Sequence, residues 1–183
     1  MRAVLDTCVI FPTVMREVLL GVAGTGAFVP LWSERILEEW ARAAAKLGPE
    51  AEMQARGEAA LLQAKWPGAT VEWTPSLEAR LWLPDPADIH VLAAAVAGSA
   101  DVIVTLNAGD FPRGVLAEEG LSRADPDGFL QGFWQADAAR VEAVVARVRA
   151  EAERLSGQAW TARGLLKKAR LPRLGKAVAG RLD

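Results

Sequence analysis

Several acids in this chain stand where solubility alone does not explain them. Asp6 interrupts the apolar run Ala3-Val4-Leu5-Asp6-Thr7-Cys8-Val9-Ile10-Phe11. An unpaired carboxylate in such a run is costly to bury, so it needs a partner or a task. Asp110 lies in the polar segment Thr105-Leu106-Asn107-Ala108-Gly109-Asp110, which follows the apolar triplet Val102-Ile103-Val104. Asp88 falls in the first turn of a helix for which Asp85 already supplies the cap. Glu39 borders an apolar helix face made by Ile36, Leu37 and Trp40, whereas Glu38 reads as solvated. Carboxylates that meet can hold a hard divalent cation. A single one, Asp6, could instead be the nucleophile of a phosphotransfer reaction. Ordinary explanations stand beside these: the helix dipole favours an anion at Asp88, and a loop turn suits Asp110.

The elements around these residues must carry them to one place. Residues 2–6 read as a strand and 28–29 as a short extended piece; residues 15–20 read as a helix stopped by Gly21 and Gly24. Ser33 is a fitting N-cap for a helix over 34–46 that ends at Gly48-Pro49, and residues 50–64 form a second helical run. Residues 70–73 alternate weakly, as a strand would. Asp85-Pro86 is a helix start, with Gly98 after its end at Ala97, and Asp125-Pro126 repeats the signal. Val102–Val104 has no polar alternation, as in a buried parallel strand. Residues 138–155 are amphipathic, with Val141, Val144, Val145, Val148 and Leu155 on one side. The strand and helix alternation predicts an α/β fold with a parallel sheet, and ligands bind such sheets beyond the strands' carboxyl ends. Asp6 and the Asn107/Asp110 segment then share an edge. A simple connection is expected to leave Asp88 at the opposite edge, so that a longer crossover is needed to bring it to the others.

Four segments, "VLDTCVI", "ILEEW", "DPADIHVLAAA" and "VIVTLNAGDFP", in this order and spacing, resemble the PIN-domain nuclease family, most closely the toxin-type ribonucleases of bacterial toxin–antitoxin pairs. The resemblance covers roughly residues 1–135. It implies a three-layer PIN-like parallel sheet flanked by helices over 1–135, leaving 136–183 as a C-terminal helical extension. It implies catalytic acids at Asp6, Glu39, Asp88 and Asp110, with Asp6 and Asp88 on the metal and Thr7 and Asn107 positioning the substrate. The family's glutamate usually precedes an apolar residue, which selects Glu39 over Glu38. Carboxylates about 5 Å apart repel by roughly 3 kcal/mol, or about two pKa units. A divalent cation relieves that repulsion, and all-oxygen ligands suit Mg²⁺ or Mn²⁺. RNA as substrate, a cognate antitoxin and a homodimer are the partners the resemblance implies. Asp85 is expected outside the cluster, as a cap.

Composition narrows the alternatives. The 183 residues are 51% hydrophobic and 24% charged, enough for a full core. No apolar run is long enough to span a bilayer, and the N-terminal pattern is not that of a signal peptide, so a cytoplasmic protein is expected. One Cys and one His make no Cys/His zinc site, and no Gly-x-Gly-x-x-Gly follows the first strand. His90 reads as a packed or capping residue and Cys8 as a small core residue. "DTC" lacks the second acid of an Asp-x-Asp phosphotransfer signature. A non-catalytic PIN-like module that binds nucleic acid or protein is the other alternative. Residues 1–155 carry 14 basic and 22 acidic side chains, a net −8, while 156–183 carry seven and one, a net +6. The step at Ser156-Gly157 predicts a separate basic appendage of two short helical runs, 162–169 and 174–179 about Pro172. Its Leu165, Leu166, Leu171, Leu174 and Val178 form an apolar face for docking on the body, while the cations face RNA phosphates or an acidic partner.

Overall fold

Burial on both faces marks the strands that build the sheet. The computed structural model describes Met1–Asp183. Strands β1 (Arg2–Leu5), β2 (Val29–Leu31), β3 (Val102–Val104) and β4 (Ser122–Ala124) are all parallel, in the order β2-β1-β3-β4. Val4 pairs with Leu31 on one side and Ile103 on the other. Ala3, Val4, Leu5, Ile103 and Val104 are wholly buried, as central parallel strands require. The edge strand β4 is polar and only partly covered, so its sequence carries no strand signature.

The helices are α1 (Thr7–Ile10), α2 (Thr13–Ala23), α3 (Glu34–Ala45), α4 (Pro49–Lys65), α5 (Pro75–Arg80), α6 (Ile89–Ala97), α7 (Arg113–Glu118), α8 (Pro126–Ala136), α9 (Ala138–Ser156), α10 (Ala162–Lys168) and α11 (Pro172–Leu182). Ser33, Thr74, Asp125, Asp137 and Thr161 cap α3, α5, α8, α9 and α10 through their side-chain oxygens. A 3₁₀ turn, Pro86–Asp88, precedes α6, so Asp85-Pro86 opens the turn rather than the α-helix itself. The expected strand at 70–73 is reduced to one bridge, between Thr70 and Trp32.

The chain divides into two compact units. One comprises 1–11 and 29–124, the other 12–28 and 125–183; these breaks differ from the 135/136 division expected from the sequence. The first is the α/β unit: the parallel sheet with α1 and α3–α7. The second is helical: α2 with α8–α11. Gly21 does not stop α2; it lies within the helix, where a Cβ would come 2.5 Å from Val144 Cγ1 of α9. It permits a close helix contact.

Residues 156–183 are not a separate appendage. Gly157, in left-handed conformation (φ 66°), ends α9. Helices α10 and α11 then pack on each other and on α8 and α9. Leu165, Leu166, Leu171, Leu174 and Val178 are all buried. The apolar face expected of these residues is the buried one; the charge step at Ser156-Gly157 marks the outer face of the helices and not a boundary. Leu155, by contrast, is 68% exposed: the buried side of α9 stops at Val148.

Candidate active site

The site lies within the α/β unit, at the carboxyl edge of the sheet. Asp6 follows β1 directly, and its amide still donates to Val104 O at 3.2 Å. The ladder therefore sets its side chain just past the strand end. Asp6 occupies the N-cap position of α1, but its side chain makes no cap bond. Its Oδ2 instead accepts from Thr105 Oγ1 at 2.7 Å and from Cys8 Sγ at 3.0 Å, and the residue is 5% exposed. Asp88 is placed in the same way. It takes the N-cap position of α6 without a side-chain cap bond, while Asp85 caps the preceding turn by accepting from Ala87 N at 2.8 Å. Both aspartates thus keep a carboxylate that no helix end consumes.

Asp88 does share an edge with Asp6, and no long crossover is needed. Helix α6 runs back along the sheet and leads into β3 within a few residues, so its start lies at the strands' carboxyl ends. Burial raises the Asp88 carboxyl, and the charges of Asp6, Asp110 and Asp85 raise it further, to about 6. Asp85, expected outside the group, is a cap, yet its charge is felt there. Asp110 closes a turn in which its amide donates to Asn107 O at 3.1 Å. Asn107 is exposed, and its amide donates to Thr105 Oγ1 at 2.9 Å.

Glu39 belongs to a different electrostatic setting. Thr7 Oγ1 donates to its Oε2 at 3.1 Å, Arg35 Nε lies 3.8 Å from Oε1, and His90 Nε2 lies 2.9 Å from Oε1. His90 is wholly buried; Nε2 approaches the carboxylate closely, an ion pair only when the imidazole is protonated, and neither ring nitrogen makes an aligned hydrogen bond. Burial pushes the Glu39 carboxyl up, but His90, Thr7 and Arg35 together outweigh it and hold the group below its ordinary value. Glu38 faces elsewhere. Hydrogen bonds from Arg56 and Arg42 hold its carboxyl down to about 2.

No three of the His, Cys, Asp and Glu side chains converge closely enough to cage an ion by themselves. Mg²⁺ does not need such a cage, because it keeps waters and takes one or two carboxylates plus a phosphate. Asp6 and Asp88, uncommitted to helix caps, fit that requirement, and the all-oxygen donor set fits Mg²⁺ or Mn²⁺.

Sequence reasoning passed over Thr105 as a partner of Asp6. The ladder was the available signal: Leu5 pairs with Val104, so the next residues, Asp6 and Thr105, fall side by side. It also read His90 as a packed or capping residue. The histidine is packed, but against Glu39.

The family model for the PIN domain matches residues 2–109, which include Asp6, Glu39, Asp88 and Asn107 and stop one residue short of Asp110. No curated protein and no solved structure matches the chain.

Proposed function

Because the chain belongs to the PIN domain family, whose members are in general nucleases, we propose that it is a metal-dependent endoribonuclease that hydrolyses RNA phosphodiester bonds. The observation that carries this reading is that Asp6 and Asp88, at the carboxyl edge of the parallel sheet, keep carboxylates free of helix caps, with the Asp88 carboxyl pushed up to about 6 by burial and by the charges of Asp6, Asp110 and Asp85. Negative charge gathered there, only partly offset by His90, is the arrangement a divalent ion would relieve. Asp6 and Asp88 would hold Mg²⁺ or Mn²⁺, which when bound neutralises phosphate charge and acidifies a water for in-line attack. Asp110 adds to the field that attracts the ion. Glu39, kept ionised by His90 and Thr7, supplies a fixed acceptor. Thr7 and Asn107 position the substrate.

Asp6→Asn should reduce RNA cleavage about a thousandfold, roughly 4 kcal/mol of transition-state stabilisation, with the fold intact. Undiminished cleavage by that variant, or by the wild-type protein in EDTA, would sink the mechanism. A non-catalytic binding module is the second reading, favoured by the lack of a three-residue cage. Mn²⁺ titration separates them: the nuclease binds the ion and loses it on Asp6→Asn, and the module does not bind it.

Within the nuclease reading, the chain is the toxin of a toxin–antitoxin pair, with a cognate antitoxin and a homodimeric state. The exposed Leu47, Met53 and Leu61 around α4 offer apolar surface for such contacts. No helix is long and apolar enough to cross a membrane.

A further inference from the structure

We propose that the outer face of the α10–α11 hairpin is a binding surface for the phosphate backbone of RNA, distinct from the acidic site. The proposal rests on the ribonuclease reading for its ligand but on separate residues for its evidence. Residues 156–182 contain no Asp or Glu. The one acid that follows, Asp183, is consumed in capping: its oxygens accept from Ala162 N at 2.6 Å and Arg163 N at 3.2 Å. Asp127, the buried acid beneath α11, is spent in the same way, on Arg173 N at 2.8 Å and Leu174 N at 2.9 Å. Each helix start is therefore satisfied, and neither carboxylate is left to neutralise the outer face.

On that face Arg163 and Lys167 stand on α10, Arg170 just past its end, and Lys176 on α11. All four are exposed, and no acid pairs with any of them. Arg163 and Lys167 are four apart on a helix, a like-charge spacing that disfavours the helix unless an anion meets it. Other basic residues nearby are engaged: Arg173 with Asp125, Arg181 with Glu142, and Lys168 over the Trp160 ring.

Arg170 adds an independent observation. It has φ 63°, in the left-handed region, at the end of α10. Leu171 N donates to Leu166 O at 2.8 Å and Arg170 N to Lys167 O at 3.1 Å, a helix ending that normally carries Gly. A cation is held at a place where the backbone prefers no side chain. Such outliers persist where the side chain has a use.

The choice of RNA over an acidic protein follows from what the face lacks. Protein interfaces are built around buried aromatic or apolar anchors. None of the chain's exposed large hydrophobic residues lies in 156–183. A phosphate backbone asks only for cations.

The test uses the full chain carrying Asp6→Asn to prevent cleavage, with and without Arg163→Gln, Lys167→Gln, Arg170→Gln and Lys176→Gln together. Binding of a single-stranded RNA oligonucleotide is followed by fluorescence anisotropy as salt is raised. Loss of four phosphate contacts should reduce the log–log salt slope by about 3 and weaken binding at low salt more than tenfold. A second variant, Arg163→Lys with Arg170→Lys, should keep the slope, which separates charge from folding. An unchanged slope in the four-residue variant overturns the proposal. So does a four-residue dependence seen with polyglutamate but not with RNA, which would mark an acidic protein partner instead. Cleavage by the wild-type chain is measured separately. Intact cleavage with an indifferent slope removes this surface and keeps the nuclease. Absent cleavage with a slope that depends on these four residues does the reverse.

Discussion

The acidic edge of the α/β unit and the basic hairpin of the helical unit pose the same problem with opposite sign. Each gathers like charges that lack full compensation. They differ in burial. Asp6 is almost fully buried, and where its charge reaches Asp88 it helps push that carboxyl to about 6. The cations of α10 and α11 lie in water, which screens them, so they repel weakly and stay charged. Buried repulsion is stored against folding and released by a bound ion. Exposed repulsion stores little and acts mainly as a field. The edge should thus reveal itself through stability and metal dependence, and the hairpin through salt dependence.

After Asp6→Asn, the largest expected effect tests the buried side. Asp88→Asn should reduce RNA cleavage about a hundredfold, roughly 3 kcal/mol, and should raise the melting temperature of the metal-free protein because it removes a repelled charge. The four-residue hairpin variant should leave the melting temperature where it was. If the hairpin substitutions stabilise the protein and Asp88→Asn does not, the contrast drawn from burial is wrong.

His90→Ala comes next. It removes the partner that, with Thr7, fixes Glu39. Cleavage should fall about tenfold, about 1.4 kcal/mol, with His90→Gln recovering part of it by donating an amide hydrogen. Equal losses in the two variants would mean that His90 fills space and nothing more.

A smaller effect follows from pH. The Asp88 carboxyl titrates near 6 in the fold, against an ordinary value of 3.8. Between those values the folded chain keeps a proton that the unfolded chain has lost. Metal-free stability from this group is therefore present below about pH 4 and is lost as the pH rises through 6. Asp88 is only half-buried, so the loss is on the order of 1 kcal/mol after screening. Glu39 works in the opposite sense: its contribution is present above its ordinary 4.5 and is lost as the pH falls below it. Urea unfolding from pH 4 to 7 in EDTA should show the decline, and saturating Mn²⁺ should abolish it. A flat profile in EDTA would mean that Asp88 carries no uncompensated charge.

These features were unequally legible in the sequence. The parallel sheet was, because Val102-Ile103-Val104 can only be buried on both faces and Asp85-Pro86 and Asp125-Pro126 announce helix starts. Edge strand β4 was not, since Ser122-Arg123-Ala124 owes its conformation to pairing with β3. Asp6 was conspicuous as an acid in an apolar run. Its partner Thr105 was hidden, because only the strand register brings together residues 99 apart in sequence. The direction of α6 was misjudged for want of one topological step: a helix that leads into a parallel strand must begin at that strand's carboxyl end. The inner face of the tail was legible in Leu165, Leu166, Leu171, Leu174 and Val178, but the charge step suggested a boundary at Ser156-Gly157 where the helical unit has none.

The smallest effect uses Cys8 as a reporter of the acidic edge. Its thiol is pushed up to about 12, first by burial and then by the charge of Asp6, while a hydrogen bond shared with Thr105 and one from the Leu106 amide pull the other way. It should be nearly inert to iodoacetamide at pH 8, since the thiolate is the reacting form. Asp6→Asn removes the charge that opposes ionisation but leaves the burial, so alkylation should quicken only a few fold. Mn²⁺ bound beside Asp6 should lower the thiol's pKa by the same electrostatics. The same measurement on the four-residue hairpin variant should give the wild-type rate, because screened charges in water do not reach a buried thiol. A Cys8 that reacts as fast as a free thiol before any substitution would show that the edge is open to solvent, and the distinction between buried and exposed charge would fail at a hydrogen-bond partner of Asp6.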